Sequence, residues 1–228
     1  MKGRITMILS IILIGIIILI ITLFIVNVKF NDKLAIVISI IALSVSFLGV
    51  FKNEIFPFNL EIIIDDLIIT ADSGKSNKKA KNIEFVLNVS FLNKGYAEGI
   101  IEKIFVKVLD DDGIVKFYRP TVEIDYIKYI QGKRRLHGDN VISQFSSFPL
   151  HSKQSLNKYL VFQNLGHPKY PITPWKIGNY KFEVFVKTSY RKKAKLMKKL
   201  PFTLDEEGLN NYLNNNSVEY SLIFFDDN

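Results

Sequence analysis

Two uncharged runs near the N-terminus constrain this chain more than any other feature: Ile5 to Val26 and, after the polar turn Asn27 to Lys33, Leu34 to Phe51. A hydrocarbon core about 30 Å thick needs about 20 apolar residues at about 1.5 Å each. By their end numbers the runs have 22 and 18 residues, so the first spans with room to tilt and the second just spans. The first is apolar on every face, which leaves a soluble surface helix no wet side. Lys2 and Arg4 resemble the positive end of a signal peptide. However, the run exceeds the usual apolar region of about 7–15 residues, no small-x-small cleavage pattern follows it, and a second apolar run comes at once. The expectation is a transmembrane helical hairpin over residues 1–51, with spans at 5–26 and 34–51, followed by a β-rich globular domain over 52–228.

In the second run Ala35, Ser39, Ala42, Ser46 and Gly49 are separated by four, three, four and three residues, which lines them along one side of a helix. Inside lipid no hydrophobic force drives helices together, so small side chains that allow close backbone approach mark a packing seam. The seam meets either the first helix, near Gly15 and Thr22, or a second copy of the chain, making a homo-oligomer. Lys2, Arg4 and Lys52 flank the spans on one side, against Lys29 and Lys33 with Asp32 in the turn. This bias places both termini and the globular domain on the cytoplasmic side of the cell membrane.

After Phe51 there are 177 residues, enough for one domain with its own core. They hold 26 Lys and Arg and 21 Asp and Glu, a net +5 out of the chain's +8, which suits a lipid bilayer with anionic headgroups as partner. A nucleic-acid partner is not expected. The absence of cysteine excludes disulfides and thiolate metal sites.

Strands are expected at Leu60–Thr70, Ile83–Phe91, Ile100–Leu109, Ile114–Tyr118, Val141–Leu150, Leu156–Phe162, Tyr180–Val186 and Val218–Phe225. The second and seventh alternate most cleanly. The turns Asn93-Lys94-Gly95 and Asp110-Asp111-Asp112-Gly113 join the second to fourth into a three-strand meander. Thr121 to Asn140 fits neither period and reads as an insertion. Thr203 with Glu206 reads as a capping box for a helix ending at Leu213. Together these predict a mainly β fold, an antiparallel β-sandwich or small barrel.

The stretch VSFLNKGYAEGIIEKIFVKV, Val89 to Val108, contains F-x-N-x-G and resembles the strand-turn-strand of bacterial immunoglobulin-like sandwich modules. IGNYKFEVFV, Ile177 to Val186, is similar to their late G-x-Y strand. That resemblance implies an Ig-like sandwich, although the antibody-type Cys-Trp-Cys pattern is absent. In layout, two spans before a β domain also resemble the two-helix membrane effectors of anti-phage signalling, which implies gating by a nucleotide ligand.

Chemistry-bearing motifs are few. Ser73-Gly74-Lys75-Ser76 echoes a phosphate loop, but Ile69 stands where its first glycine belongs and no apolar helix follows. The contiguous aspartates before Gly113 lack the alternate spacing of a calcium loop and read as a solvated turn. His137, His151 and His167 are too scattered for a metal pair, and G-x-S-x-G is absent. No cofactor, metal site or enzymatic activity is expected. Two basic patches remain. Tyr126 and Tyr129 with Arg134 and Arg135 offer rings and guanidinium groups to a base and a phosphate. Arg191, Lys192, Lys193, Lys195, Lys198 and Lys199 offer a membrane-surface contact. The functional expectation is a non-enzymatic, membrane-anchored protein that presents a binding surface to a partner of unknown identity. The alternative is a ligand-gated membrane effector.

Overall fold

The computed structural model describes residues 15–18, 21–22, 30–71, 83–132, 138–164, 175–213 and 218–221. The chain divides into two compact units, one of residues 1–59 with 95–97 and one of 60–94 with 98–228.

The first unit is dominated by helix α1, Phe30–Ile55. Its window Ala35–Asn53 is apolar and entirely unburied, and among the described residues α1 is the one helix long and apolar enough to cross a membrane. Of the first expected span only residues 15–18 and 21–22 are described. They are helical, and the rest of that span lies outside the described residues. Along α1 the hydroxyls of Ser39, Ser44 and Ser46 donate to the carbonyls of Ala35, Ile40 and Ala42, each at 2.8 Å, which satisfies them within the helix. After α1 the carbonyl of Phe56 accepts from Tyr96 N–H at 2.8 Å, and the rings of these two residues lie 5.5 Å apart. A Cβ on Gly95 would sit 1.9 Å from the Pro57 carbonyl oxygen, so this close approach admits only glycine.

The second unit is mainly β, an antiparallel sheet nearly closed into a barrel. Its strands are β1 Leu60–Ala71, β2 Ile83–Asn93, β3 Gly99–Asp110, β4 Val115–Ile124, β5 Val141–Gln144, β6 Phe148–Leu150, β7 Ser155–Gln163, β8 Gly178–Thr188, β9 Lys195–Leu204 and β10 Val218–Ser221. Two short helices, α2 Tyr126–Gln131 and α3 Glu206–Leu213, complete it. The strand order is β10-β1-β2-β7-β4-β3-β8-β9, with β5 on β4 and β6 on β3.

The expected meander does not form. β2 pairs with β1 and β7, whereas β3 pairs with β4, β6 and β8. Period-two alternation reports which face a strand buries, not which strand it pairs with. The turn after β2 therefore carries the chain across to a different stretch of sheet. The expected single strand Val141–Leu150 is likewise two strands, separated at residues 145–147 and paired to different partners.

The interior is built from inward residues of every long strand. Phe85 is fully buried at its centre, stacked on Phe162 at 5.3 Å and flanked by Tyr118 at 4.8 Å and Phe182 at 5.2 Å. β2 is covered on both faces, because outward-pointing Val86 is also buried. It joins Ile68, Ile124, Val161 and Tyr129 in a second apolar cluster outside the barrel. This cluster explains the first part of the unreadable stretch, residues 121–132, while residues 133–137 lie outside the described residues. The chain there finishes β4 and forms α2, capped by Asp125, whose carboxylate accepts from Ile127 and Lys128 N–H. A six-residue helix is too short for a 3.6-residue period to show. At the other end Asp205, not Thr203, caps α3: its Oδ1 accepts from Gly208 N–H at 2.7 Å, while the Thr203 hydroxyl donates to Asn179.

Candidate ligand cleft

β4 is the corner of the barrel, and its geometry creates the most distinctive site. Val106 and Val108 of β3 lie opposite Tyr118 and Lys116 of β4, and Asp110 N–H donates to Ile114 at 3.2 Å. Main-chain groups of an antiparallel strand point to alternate sides. Asp110, Val108, Val106 and then Ile104 therefore present their N–H and C=O toward β4. The register would bring Pro120 opposite Ile104, and proline has no N–H to give. There β4 leaves β3, pairs Pro120 with Phe162 of β7, and bulges between Pro120 and Val122. Further along, β6 takes up the same edge of β3 only at Gly99–Ile101. Among the described residues no strand pairs with residues 102–105 on this side.

A cleft of about 390 Å³ opens at that break. Ile104 and Pro120 line it together with the rings of Phe105, Phe117 and Phe145, the cations Lys103 and Arg119, Glu102, and Ser146 and Ser147 from the β5–β6 connection. That connection is anchored by Phe145 N–H donating to Thr121 at 2.8 Å. Phe105 lies 5.0 Å from Phe117 and stacks on Phe185 of β8 at 4.9 Å, while the Arg119 guanidinium sits 5.3 Å from the Phe117 ring centre. The carboxylate of Glu102 is ion-paired with Lys187. Lys103 and Arg119 have no carboxylate partner among the described residues, so the cleft is cationic. Its chemistry is ring faces, fixed positive charge and hydroxyls.

Asp111 and Asp112 of the β3–β4 turn are exposed, as expected of a solvated turn, and all three aspartates also have partners within the protein. Asp110 accepts from Ile114 N–H at 2.7 Å and pairs with Lys116 at 3.2 Å; Asp111 accepts from Asn179 N–H at 2.9 Å; Asp112 pairs with Lys176 at 2.9 Å. Gly113, with φ of +74°, supplies the left-handed residue that lets the turn close. Lys116 is almost fully buried, its ammonium 5.8 Å from the ring centre of Trp175 and 5.6 Å from that of Tyr180. Burial alone would raise the Asp110 carboxyl. The Ile114 N–H and the Lys116 ammonium outweigh it and hold the carboxyl below its ordinary 3.8. Among the described residues no group of three His, Asp or Glu side chains is placed to hold a metal ion.

The residues expected to bind from sequence are placed as follows. Tyr129 is wholly buried in the cluster under α2, so its ring has no open face for a base: a correction, since core burial had claimed it. Tyr126 lies flat on Tyr159, with ring centres 4.3 Å apart and planes within 8°. Arg134 and Arg135 lie outside the described residues. Arg191, Lys192 and Lys193 are exposed in the turn of the β8–β9 hairpin. Lys195, Lys198 and Lys199 follow on β9, with Lys199 3.9 Å from Glu183. Ala35, Ser39, Ala42, Ser46 and Gly49 are all exposed along α1. The cleft residues were missed, yet a signal existed. Phe105 and Phe117 occupy outward strand positions where polar residues are the rule, each two residues from a cation, and Pro120 interrupts the strand beside them.

Fold and site together define a class: a mainly antiparallel β protein that carries a cationic, aromatic-walled cleft, preceded in the chain by a helix apolar and long enough to cross a membrane. Compared with known proteins, the chain matches no family model and no curated protein.

Proposed function

We propose that this is a membrane-anchored, non-enzymatic binding protein, with a hairpin of two spans in the cell membrane and a cytoplasmic β domain that presents its cleft to a ligand. The observation that carries the reading is α1. Its apolar window Ala35–Asn53 buries nothing against the protein, and its serine hydroxyls are bonded to the helix's own carbonyls. A helix built this way suits lipid, where each unmet polar group costs several kcal/mol. Alkaline extraction of membranes expressing the full chain tests it. The protein is expected to stay in the pellet until detergent is added, and release into the aqueous fraction overturns the reading.

A second reading, a ligand-gated membrane effector, draws support from the small-residue seam, which runs unburied along α1 beside the branched residues Ile38 and Val45. In that reading ligand binding drives copies of α1 together through the seam, and overexpression with ligand compromises the membrane. A passive anchor leaves the membrane intact.

A further inference from the structure

The barrel carries opposite charge at its two ends. Antiparallel pairing gathers the start of β1, the end of β2, the start of β3, the end of β8 and the start of β9 at one end, with Leu60 opposite Asn93, Ile101 opposite Thr188 and Val186 opposite Lys195. The β8–β9 turn at this end is fixed to β3: Ser189 N–H donates to the Ile100 carbonyl at 3.0 Å, and the Ser189 hydroxyl accepts from Ile100 N–H at 3.1 Å. Arg191, Lys192, Lys193 and Lys195 extend from this turn beside the exposed Tyr190. All four cations are exposed and have no carboxylate partner among the described residues. The carboxylates of the same end are already engaged: Glu61 pairs with Lys94, Glu102 pairs with Lys187, and Glu98 lies 3.1 Å from His151. At the opposite end Asp110 faces Tyr180 across the sheet and Gly178 faces Leu204. Asp111, Asp112, Asp205, Glu206 and Glu207 are exposed there, against the exposed cations Lys176 and Lys181.

The chain passes between the barrel and the unit of α1 only from the basic end. Residues 56–59 alone separate α1 from β1, and residues 95–97, between β2 and β3, belong to that unit. Four extended residues reach no more than about 14 Å, so with α1 in the membrane this is the end of the barrel within reach of the headgroups. Its chemistry suits them. Anionic headgroups attract basic side chains that come within a Debye length, and a tyrosine ring is at home where lipid meets water. We propose that the basic end of the barrel docks on anionic lipid headgroups, with Arg191, Lys192, Lys193 and Lys195 against their phosphate and carboxylate groups and Tyr190 at the boundary, while the acidic end faces away. Docking then sets the orientation of the β domain and makes that orientation depend on lipid charge. Lys199, farther along β9 and 3.9 Å from Glu183, lies outside the patch. The assignment rests on the reading of α1 as a membrane span.

The chain has no cysteine, so one introduced thiol gives one place for a fluorescent label. Ser152→Cys, in the exposed β6–β7 turn, marks the basic end, and Glu207→Cys, exposed on α3, marks the acidic end. Each labelled full-length chain is reconstituted into vesicles of phosphatidylcholine with phosphatidylserine, or of phosphatidylcholine alone, containing a lipid whose headgroup carries a quencher. With phosphatidylserine present, the label at Ser152→Cys is expected to be quenched strongly and that at Glu207→Cys weakly. Each cation near the surface shifts the docking equilibrium by about fivefold. Replacing Arg191, Lys192, Lys193 and Lys195 with Gln together should therefore bring quenching at Ser152→Cys down to its value in phosphatidylcholine alone, as should 1 M salt, where the Debye length falls to about 3 Å. An unchanged thermal transition for the fourfold variant separates loss of docking from loss of the fold. The proposal is overturned if the two labels are quenched equally, if the fourfold variant is quenched as strongly as its parent, or if phosphatidylserine makes no difference, the outcome expected were the turn to bind a soluble acidic protein instead. A chain that stays in the membrane pellet and gives any of these results sinks the docking alone, whereas release from the pellet sinks the reading of α1 on which it stands.

Discussion

Removing the charge from Asp110 is the sharpest probe of how this domain is held together. Lys116 is an inward residue of β4 with 1% of its side chain exposed, and Asp110, at 11%, is its ion-pair partner at 3.2 Å. At an effective dielectric of about 20, two unit charges at that separation attract by about 5 kcal/mol. Part of this offsets the desolvation of both groups. In Asp110→Asn the side-chain oxygen still accepts from Ile114 N–H, so the change strips the countercharge and leaves an ammonium in the core. Breaking such a pair costs about 3–5 kcal/mol, and 3 kcal/mol lowers the melting temperature of a domain this size by roughly 6–12 °C. Lys116→Met removes the more deeply buried charge and retains most of its volume, and the Asp110 carboxylate that remains is 11% exposed and still accepts from Ile114 N–H, so it should cost less than Asp110→Asn. Trp175, the one tryptophan in the chain, reports the transition directly, because its indole N–H donates to Tyr118 at 2.9 Å beside Lys116. The pH dependence carries the same sign. The Asp110 carboxyl is held below 3.8, so its stabilisation is complete above that pH and is lost as pH falls through the lowered value. Asp110→Asn should therefore show a shallower acid transition than the parent chain. Equal melting temperatures for Asp110→Asn and Lys116→Met would refute the reasoning, since they would mean that Lys116 is not charged in its buried site.

Two further outcomes follow from packing. Phe85→Ala empties the centre of the barrel, where three rings lie within 5.3 Å, and should cost about 4 kcal/mol in urea unfolding; a loss under 1 kcal/mol would show that the barrel interior collapses around the missing ring. Ala42→Leu combined with Ser46→Leu fills the seam of α1, and cross-linking in membranes should yield fewer oligomers, whereas an unchanged yield rules out the seam as a self-association face.

Much of the architecture was legible in the residue order because it depends on short-range patterns. The apolar run Leu34–Phe51 became the centre of α1, Phe30–Ile55. The alternation of Tyr180 to Val186 became β8, and the Asp-Asp-Asp-Gly turn closed where Gly113 permits a left-handed backbone. Each of these reflects how one residue and its near neighbours meet water, lipid or their own backbone.

The cleft, the buried pair and the burial of Tyr129 belong to another scale. Whether β2 pairs with β3 is decided by which distant strands, β1 and β7, complete its hydrogen bonds and cover its second face. Tyr129 reads as a surface ring until Ile68, Val86 and Val161, from three other strands, form the platform beneath it. Residue order alone determined that this chain has an apolar helix and a set of β-strands with charged turns. Only the tertiary structure decided that β4 abandons β3 at Pro120 and opens a cationic, ring-lined gap, because that choice depends on a missing N–H meeting a strand sixteen residues earlier in the chain.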